Sequence, residues 1–335
     1  MYLFHIIISY YYLKMELNSK KLFENKYKNR LILLKEQLIS NKTSGWIMVN
    51  SDLDKFPVKT KSLKGKTLFI TGASRGIGLA IALMAASQGA NIAVVAKTIT
   101  EQKNLPGTIF TAVEEINKAG GKGLAIQCDV RDEESVKKAV EKTVETFGGI
   151  DILINNASAI SLTSTDETTM KKYDLIHSIN ERGTYLCTKL CLEHLKKSEN
   201  PHILTLSPPL NIEDKWLKSF PAYALSKFGM SIYAKAFAAE FKDYGIASNA
   251  LWPRTSIATA AVQNLLGGDN VMKKSRDPKI MGDAANFILN SDSRIITGKH
   301  FIDDEILVAH GISNLEIYNC VKGTSDNELT ADFFC

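Results

Sequence analysis

The stretch "KTLFITGASRGIGLAIALMAASQGANIAVVAKT", Lys66 to Thr98, decides the fold. Its run "TLFI" has the length of a strand, and "IGLAIALMAAS" has the length of a helix, with Gly89 placed to close it. A second run, "NIAVVA", is apolar without alternation. Strands that are apolar on both sides need cover on both faces, and a helix between two of them makes the sheet parallel. The alternation continues with "GLAIQCDV" as a strand, "DEESVKKAVEKTVETFG" as a helix and "DILINNAS" as a strand. A helix through "NERGTYLCTKLCLEHLKK" follows, then the strand "HILTLS", the helix "YALSKFGMSIYAKAFAAEFKDYG" and the strand "IASNALWP". The stretch "ITGKHFIDDEIL" is expected to be a last strand. The fold class is α/β.

Between the first strand and the first helix lies "TGASRGIG", Thr71 to Gly78. Glycines there let backbone amides at a helix start approach a phosphate, whose charge the helix dipole favours. Gly72, Gly76 and Gly78 are candidate pyrophosphate contacts, and Ala73, Ser74, Arg75 and Ile77 complete the turn. The alternative is a tight turn without ligand, which the flanking strand and helix make the weaker reading. At the end of the second strand an acidic residue suits a free ribose hydroxyl, whereas cations suit a 2′-phosphate. Lys97 stands there, and Arg75 lies inside the turn, so NADP(H) is expected over NAD(H).

Composition bounds the rest. The 335 residues are 45% hydrophobic and 23% charged, enough for a large core and ordinary for a globular chain. The net charge of +5 comes from scattered lysines rather than a basic stripe with aromatics between, so nucleic acid is not expected as a partner. Five cysteines lie far apart, without metal-ligand spacing and in odd number, which points to a reducing, intracellular compartment and to no metal site. The opening "MYLFHIIISYYYL" is too short to span a bilayer and lacks the flanks of a signal peptide. Residues 1–62 are expected to be a helical or partly disordered extension, 63–311 the single catalytic domain and 312–335 a tail.

Tyr223 and Lys227 are four residues apart at the start of a helix and so share a face. A free tyrosine ionises near pH 10, and a neighbouring ammonium is expected to lower that value toward the range in which general acid–base catalysis is effective. The bland reading is an amphipathic helix that happens to contain both.

Thr71-Gly72-x-x-x-Gly76-x-Gly78, Asn155-Asn156-Ala157, Asn180 and Tyr223-x-x-x-Lys227 occur in order on one α/β pattern. From about Lys64 to Gly311 the chain resembles the short-chain dehydrogenase/reductase family. The resemblance implies a doubly wound Rossmann-type fold with a seven-stranded parallel sheet and, usually, a homo-oligomer. It also implies Asp129 near the adenine, Asn156 and Ala157 beside the cofactor, and Lys227 on the nicotinamide ribose. Tyr223 would then exchange a proton with the substrate oxygen, and Asn180 would hold a water in the proton path. On the residues alone, Asn180 as a helix cap stays open. Longer relatives in the family continue into a sterol-carrier-like lipid-binding module that is not expected here, and the resemblance points to a peroxisome or mitochondrion.

Two departures bear on the substrate side. Family members generally place a serine at the end of the fifth strand, but "ILTLSPPLN" puts Pro208 in that slot and Ser207 one residue early. Successive strand side chains face opposite ways, so Ser207 turns away unless the strand ends or bulges, and its role as substrate contact stays open. The family's Pro-Gly turn after the sixth strand reads Pro253-Arg254, from which a side chain is expected to enter near the nicotinamide. The resulting expectation is an NADP(H)-dependent oxidoreductase acting on a small, lipid-like carbonyl substrate. The alternative is a weakly active or inactive NADP(H)-binding regulatory protein.

Overall fold

The computed structural model describes residues 61–103 and 105–335. The extension expected over residues 1–62 lies, apart from its last two residues, outside them.

Strand β1 (Thr67–Thr71) is buried along its whole length, as are β4 (Ile152–Asn155), β5 (His202–Leu206) and β6 (Ala247–Trp252). With β2 (Asn91–Ala96), β3 (Lys122–Gln127) and β7 (His300–Ile302) they form one parallel sheet in the order β3-β2-β1-β4-β5-β6-β7. The order reverses between β1 and β4, and a doubly wound sheet opens a crevice at that switch point. The seven-stranded, Rossmann-type fold is therefore the one expected.

Helices cover both faces. They are α1 (Gly76–Ser87), α2 (Ile109–Lys118), α3 (Glu133–Phe147), α4 (Met170–Ile179), α5 (Glu181–Leu195), α6 (Asp214–Leu217), α7 (Pro221–Glu240), α8 (Ala260–Leu265), α9 (Gly268–Lys273), α10 (Lys279–Leu289) and α11 (Asp303–Ala309). Among the described residues none is long and apolar enough to cross a membrane. The core under α3 and α5 joins Phe69, Val95, Val136, Val140, Leu153, Cys187 and Cys191. Burying one such aliphatic side chain contributes about 1.5–3 kcal/mol, which is why the continuous apolar runs become strands despite their shortness.

One boundary differs from expectation. The last strand stops at Ile302, because Asp303, Asp304 and Glu305 form the first turn of α11. Three carboxylates suit the positive end of a helix dipole better than a buried ladder. Residues 312–335 fold back onto the domain: Phe334 is fully buried against Phe220, Phe228 and Trp252 beside the tyrosine helix α7.

Candidate active site

The glycine turn is fastened to the end of β4. Thr71 Oγ1 accepts the N–H groups of Asn156 and Ala157, each at 3.0 Å, and Asn156 Nδ2 donates to the carbonyls of Thr71 at 2.9 Å and Gly72 at 3.1 Å. Gly72 sits at φ 69°, where a side chain is strained. A Cβ on Gly78 would lie 2.5 Å from Asn156 Nδ2 and 2.8 Å from the Gly72 carbonyl. Helix α1 begins without a side-chain cap and without an acidic residue in its first turn. Its first N–H groups and dipole are thus left for an anion.

This turn opens into a cavity of about 720 Å³. Gly72, Ser74, Arg75, Gly76 and Ile77 line it, together with Lys97, Asp129, Asn156 and Ala157. Ala73 and Gly78 do not; both are buried behind the turn and act through packing. Arg75 Nε donates to the Pro106 carbonyl at 2.9 Å and its Nη2 to Gly107, which fixes the guanidinium at the cavity rim. Lys97 is not a free cation: its Nζ lies 3.2 Å from Asp129 Oδ2. Arg131, which the sequence reading did not single out, holds the same carboxylate at 2.6 Å and, ahead of Lys97, keeps it well below the usual carboxylate range.

Tyr223 and Lys227, on the first two turns of α7, line the other end with Leu206, Trp252, Pro253 and Phe333. The Tyr223 ring packs against Phe220 at 6.0 Å, and its hydroxyl takes no hydrogen bond from the described residues. Burial, and then the charge of Asp332, push this hydroxyl up rather than down. The lowering expected from Lys227 is overridden because the apolar surroundings disfavour the phenolate. Lys227 is only 1% exposed. Its Nζ donates to the Leu206 carbonyl at 2.7 Å and lies 5.0 Å from the Trp252 ring centre. Burial brings its pKa down to about 7, with Asp332 opposing.

Three expectations about neighbouring residues need revision. The side chain of Asn180 is wholly engaged by protein: Oδ1 accepts from Ser158 Oγ at 3.1 Å and Ala159 N at 2.8 Å, and Nδ2 donates to the Ala159 carbonyl at 3.1 Å and Ser226 Oγ at 2.9 Å. It therefore makes no cap bond and has no amide atom left over for a water; it braces the loop after β4 against the tyrosine helix. Ser207 lies just past the end of β5, 1% exposed, with Oγ unpaired, and it does not line the cavity, whereas its neighbour Leu206 does. The backbone just past the strand decides this: β5 stops at Leu206, and Ser207 N turns back onto the Thr205 carbonyl at 3.0 Å. Arg254 does not enter the cavity either. Its guanidinium pairs with Asp304 at 2.7 Å and with Glu305, and these carboxylates raise its pKa against the opposing effect of burial.

An unpaired buried hydroxyl costs free energy, so Ser207→Ala is expected to leave the urea midpoint unchanged or slightly raised. Turnover should stay within twofold of the unaltered protein. A loss of tenfold or more would place Ser207 at the substrate after all.

Of the two carboxylates that line the cavity, Asp129 and Asp332, the second was absent from the expected set. Asp332 reaches the cavity beside Tyr223 and Lys227 from the C-terminal segment. Its sequence signal, a carboxylate next to two phenylalanines, has no periodicity to mark it.

Comparison with known proteins accords with this arrangement. The short chain dehydrogenase family matches residues 66–267. Hydroxysteroid dehydrogenase-like protein 2 of Xenopus tropicalis is 55% identical over 275 residues, covering 82% of this chain and 64% of that protein. The Homo sapiens protein of the same name is 50% identical over the same share of each. A solved short chain dehydrogenase from Mycobacterium thermoresistibile is 52% identical, with a TM-score of 0.77, covering 82% of this chain and 96% of the other. This chain thus spans about two-thirds of the length of the curated relatives, and the shared part includes the glycine turn, the switch-point crevice and the Tyr-Lys helix. With fold, motif order and identity all in agreement, the chain belongs to the short-chain dehydrogenase family.

Proposed function

We propose that the protein is an NADP(H)-dependent oxidoreductase that interconverts a carbonyl and a hydroxyl on a lipid-like small molecule. The observation that carries this is the single cavity that joins the open N-terminus of α1 to Tyr223 and Lys227. The pyrophosphate of the dinucleotide fits the turn, where uncapped N–H groups and close-packed glycines leave room for it. Asn156, Ala157 and Asp129 flank its path, and Lys227 stands where it meets the nicotinamide ribose. When bound, the reduced nicotinamide supplies hydride to the carbonyl carbon. Tyr223, held as a neutral phenol by its apolar surroundings, gives the oxygen its proton. Lys227 lines the same end of the cavity, where its ammonium form would favour the phenolate that results.

Ile160, Leu206, Trp252, Leu265, Leu266 and Phe333 line the substrate end, which supports an apolar substrate, as does the hydroxysteroid in the name of the relatives. A homo-oligomer accords with the exposed Tyr185 on α5 and Leu225 and Ile232 on α7.

The choice of NADP(H) rests chiefly on Arg75, since Lys97 is shared with Asp129. Arg75→Ala is expected to weaken NADPH binding about 10- to 100-fold, the worth of one or two bonds to a charged group, and to leave NADH binding within twofold. Fluorescence titration of both cofactors reads the result, and an equal loss for both would remove Arg75 from the 2′-phosphate.

A second reading, a cofactor-binding protein with little turnover, is favoured by Ser207 facing away from the cavity. Following NADPH loss with aliphatic and steroidal ketones separates the two. Consumption that depends on ketone supports the oxidoreductase, and tight NADPH binding without consumption on any ketone supports the alternative.

A further inference from the structure

The segment that delivers Asp332 is pinned along its length. Ser256 N donates to the Thr330 carbonyl at 2.8 Å, Asp332 N to the Arg254 carbonyl at 2.9 Å, and Trp252 Nε1 to the Phe333 carbonyl at 2.8 Å. Thr255 and Ala331 pair as an antiparallel bridge. Phe334 adopts φ 68°, the one positive φ among the described non-glycine residues, while wholly buried. That conformation is strained for a residue with a side chain and persists only where the surroundings over-determine it. The position of the carboxyl two residues earlier is therefore fixed by the fold.

At the carboxyl itself, Oδ1 accepts from Phe333 N at 2.7 Å, and Oδ2 takes no hydrogen bond from the described residues. The titratable groups around it are Lys227 and Tyr223 from α7, Asp303 from the start of α11, Cys335 from its own segment, and Arg254, whose guanidinium is taken by Asp304 and Glu305. Burial pushes Asp332 up to about 7; the Phe333 N–H and Lys227 oppose this and Asp303 adds to it. A carboxylic acid kept neutral in an apolar site can donate a hydrogen bond to an oxygen on which charge develops.

We propose that Asp332 is a further catalytic residue, whose neutral carboxyl donates a hydrogen bond from Oδ2 to the substrate's carbonyl oxygen, the contact that Ser207 is not placed to make. The inference rests on the reading that Tyr223 protonates that oxygen. The Asp332 proton is shared in the hydrogen bond and stays on Asp332, while the transferred proton is the tyrosine's.

Two variants test it. In Asp332→Asn the amide oxygen keeps the Phe333 bond and the NH₂ stands where Oδ2 stood, as a weaker donor that cannot titrate. With NADPH and decan-2-one or a 3-ketosteroid, Asp332→Ala is expected to lose about 10²- to 10³-fold in kcat, and Asp332→Asn about tenfold. Reduction by the unaltered protein should fall as pH rises through about 7, where the acid becomes an anion, and this fall should be missing from Asp332→Asn. If Lys227 caused the fall, removing the carboxylate that supports its charge would move the fall to lower pH, and the proposal would be overturned.

Infrared spectroscopy adds a readout that needs no turnover. At about pH 5 the protonated carboxyl band of Asp332 should be present and absent from Asp332→Asn, and the C=O band of bound ¹³C-labelled decan-2-one should shift to lower frequency, the shift being lost in Asp332→Ala. An ionised Asp332 at that pH, or a ketone band indifferent to Asp332→Ala, overturns the proposal. Both bands as expected without NADPH consumption would instead count against the oxidoreductase reading and leave the hydrogen bond in place.

Discussion

Replacing Tyr223 with phenylalanine is expected to lower kcat about 10²- to 10⁴-fold, the usual contribution of a positioned proton donor. NADPH affinity should remain within twofold. The change removes only a hydroxyl that has no hydrogen-bond partner among the described residues, and it leaves the ring packed against Phe220 and within the cluster of Ile176, Phe228 and Phe334. The urea midpoint should therefore hold. Stopped-flow and steady-state kinetics check the rate, and fluorescence titration checks the binding. The direction of the Tyr223 shift bears on both reactions: a phenol that stays neutral well above neutrality carries the proton that carbonyl reduction consumes, though as a weaker acid than free tyrosine, whereas alcohol oxidation needs the phenolate and should speed up as pH rises.

Gly78→Ala is expected to abolish tight cofactor binding, with NADPH affinity reduced by at least about 100-fold, and to destabilise the fold by about 1–3 kcal/mol. Helix propensity alone argues the other way, since alanine in a helix is worth about 1 kcal/mol over glycine. Packing wins because the added Cβ would meet Asn156 Nδ2 at 2.5 Å, the Gly72 carbonyl at 2.8 Å and Ala73 Cα at 3.0 Å. The nearest of these is the amide that fastens β4 to the glycine turn, so the clash and the loss of the phosphate cradle are one event. Gly149→Ala, where a Cβ would meet nothing within 4 Å, serves as the control and should change neither quantity. A Gly78→Ala protein that binds NADPH normally would show that the turn tolerates movement and does not set the cofactor's position.

Most of the scaffold was legible because it depends on local pattern. Continuous apolar runs mark β1, β2, β4, β5 and β6, and the glycine turn and the Tyr-Lys spacing sit where strand and helix ends put them. What escaped depends on residues far apart in the chain. Arg254 reads locally as a cation beside the cavity, yet acids some fifty positions later, at the start of α11, draw it away. Lys97 reads as a phosphate contact until Asp129 is seen 3.2 Å from it. Asp332 and Phe333 carry no period at all; their place is set by backbone bonds to Arg254 and by the indole of Trp252. Ser207 is the intermediate case, since its one-residue offset was visible, whereas the turn of its N–H back onto the Thr205 carbonyl just past β5 was not.

The central claim is that hydride passes from the nicotinamide to a ketone while Tyr223 supplies the proton. It is tested most directly by turning over ketone with NADPH deuterated on the transferred position of the nicotinamide C4 and measuring deuterium in the product by mass spectrometry. The expected result is one deuterium on the carbinol carbon for each NADPH consumed, at a rate cut at least about 100-fold in Tyr223→Phe. Bound NADPH that delivers no deuterium to any ketone, or a Tyr223→Phe protein that delivers it at an undiminished rate, would contradict the account.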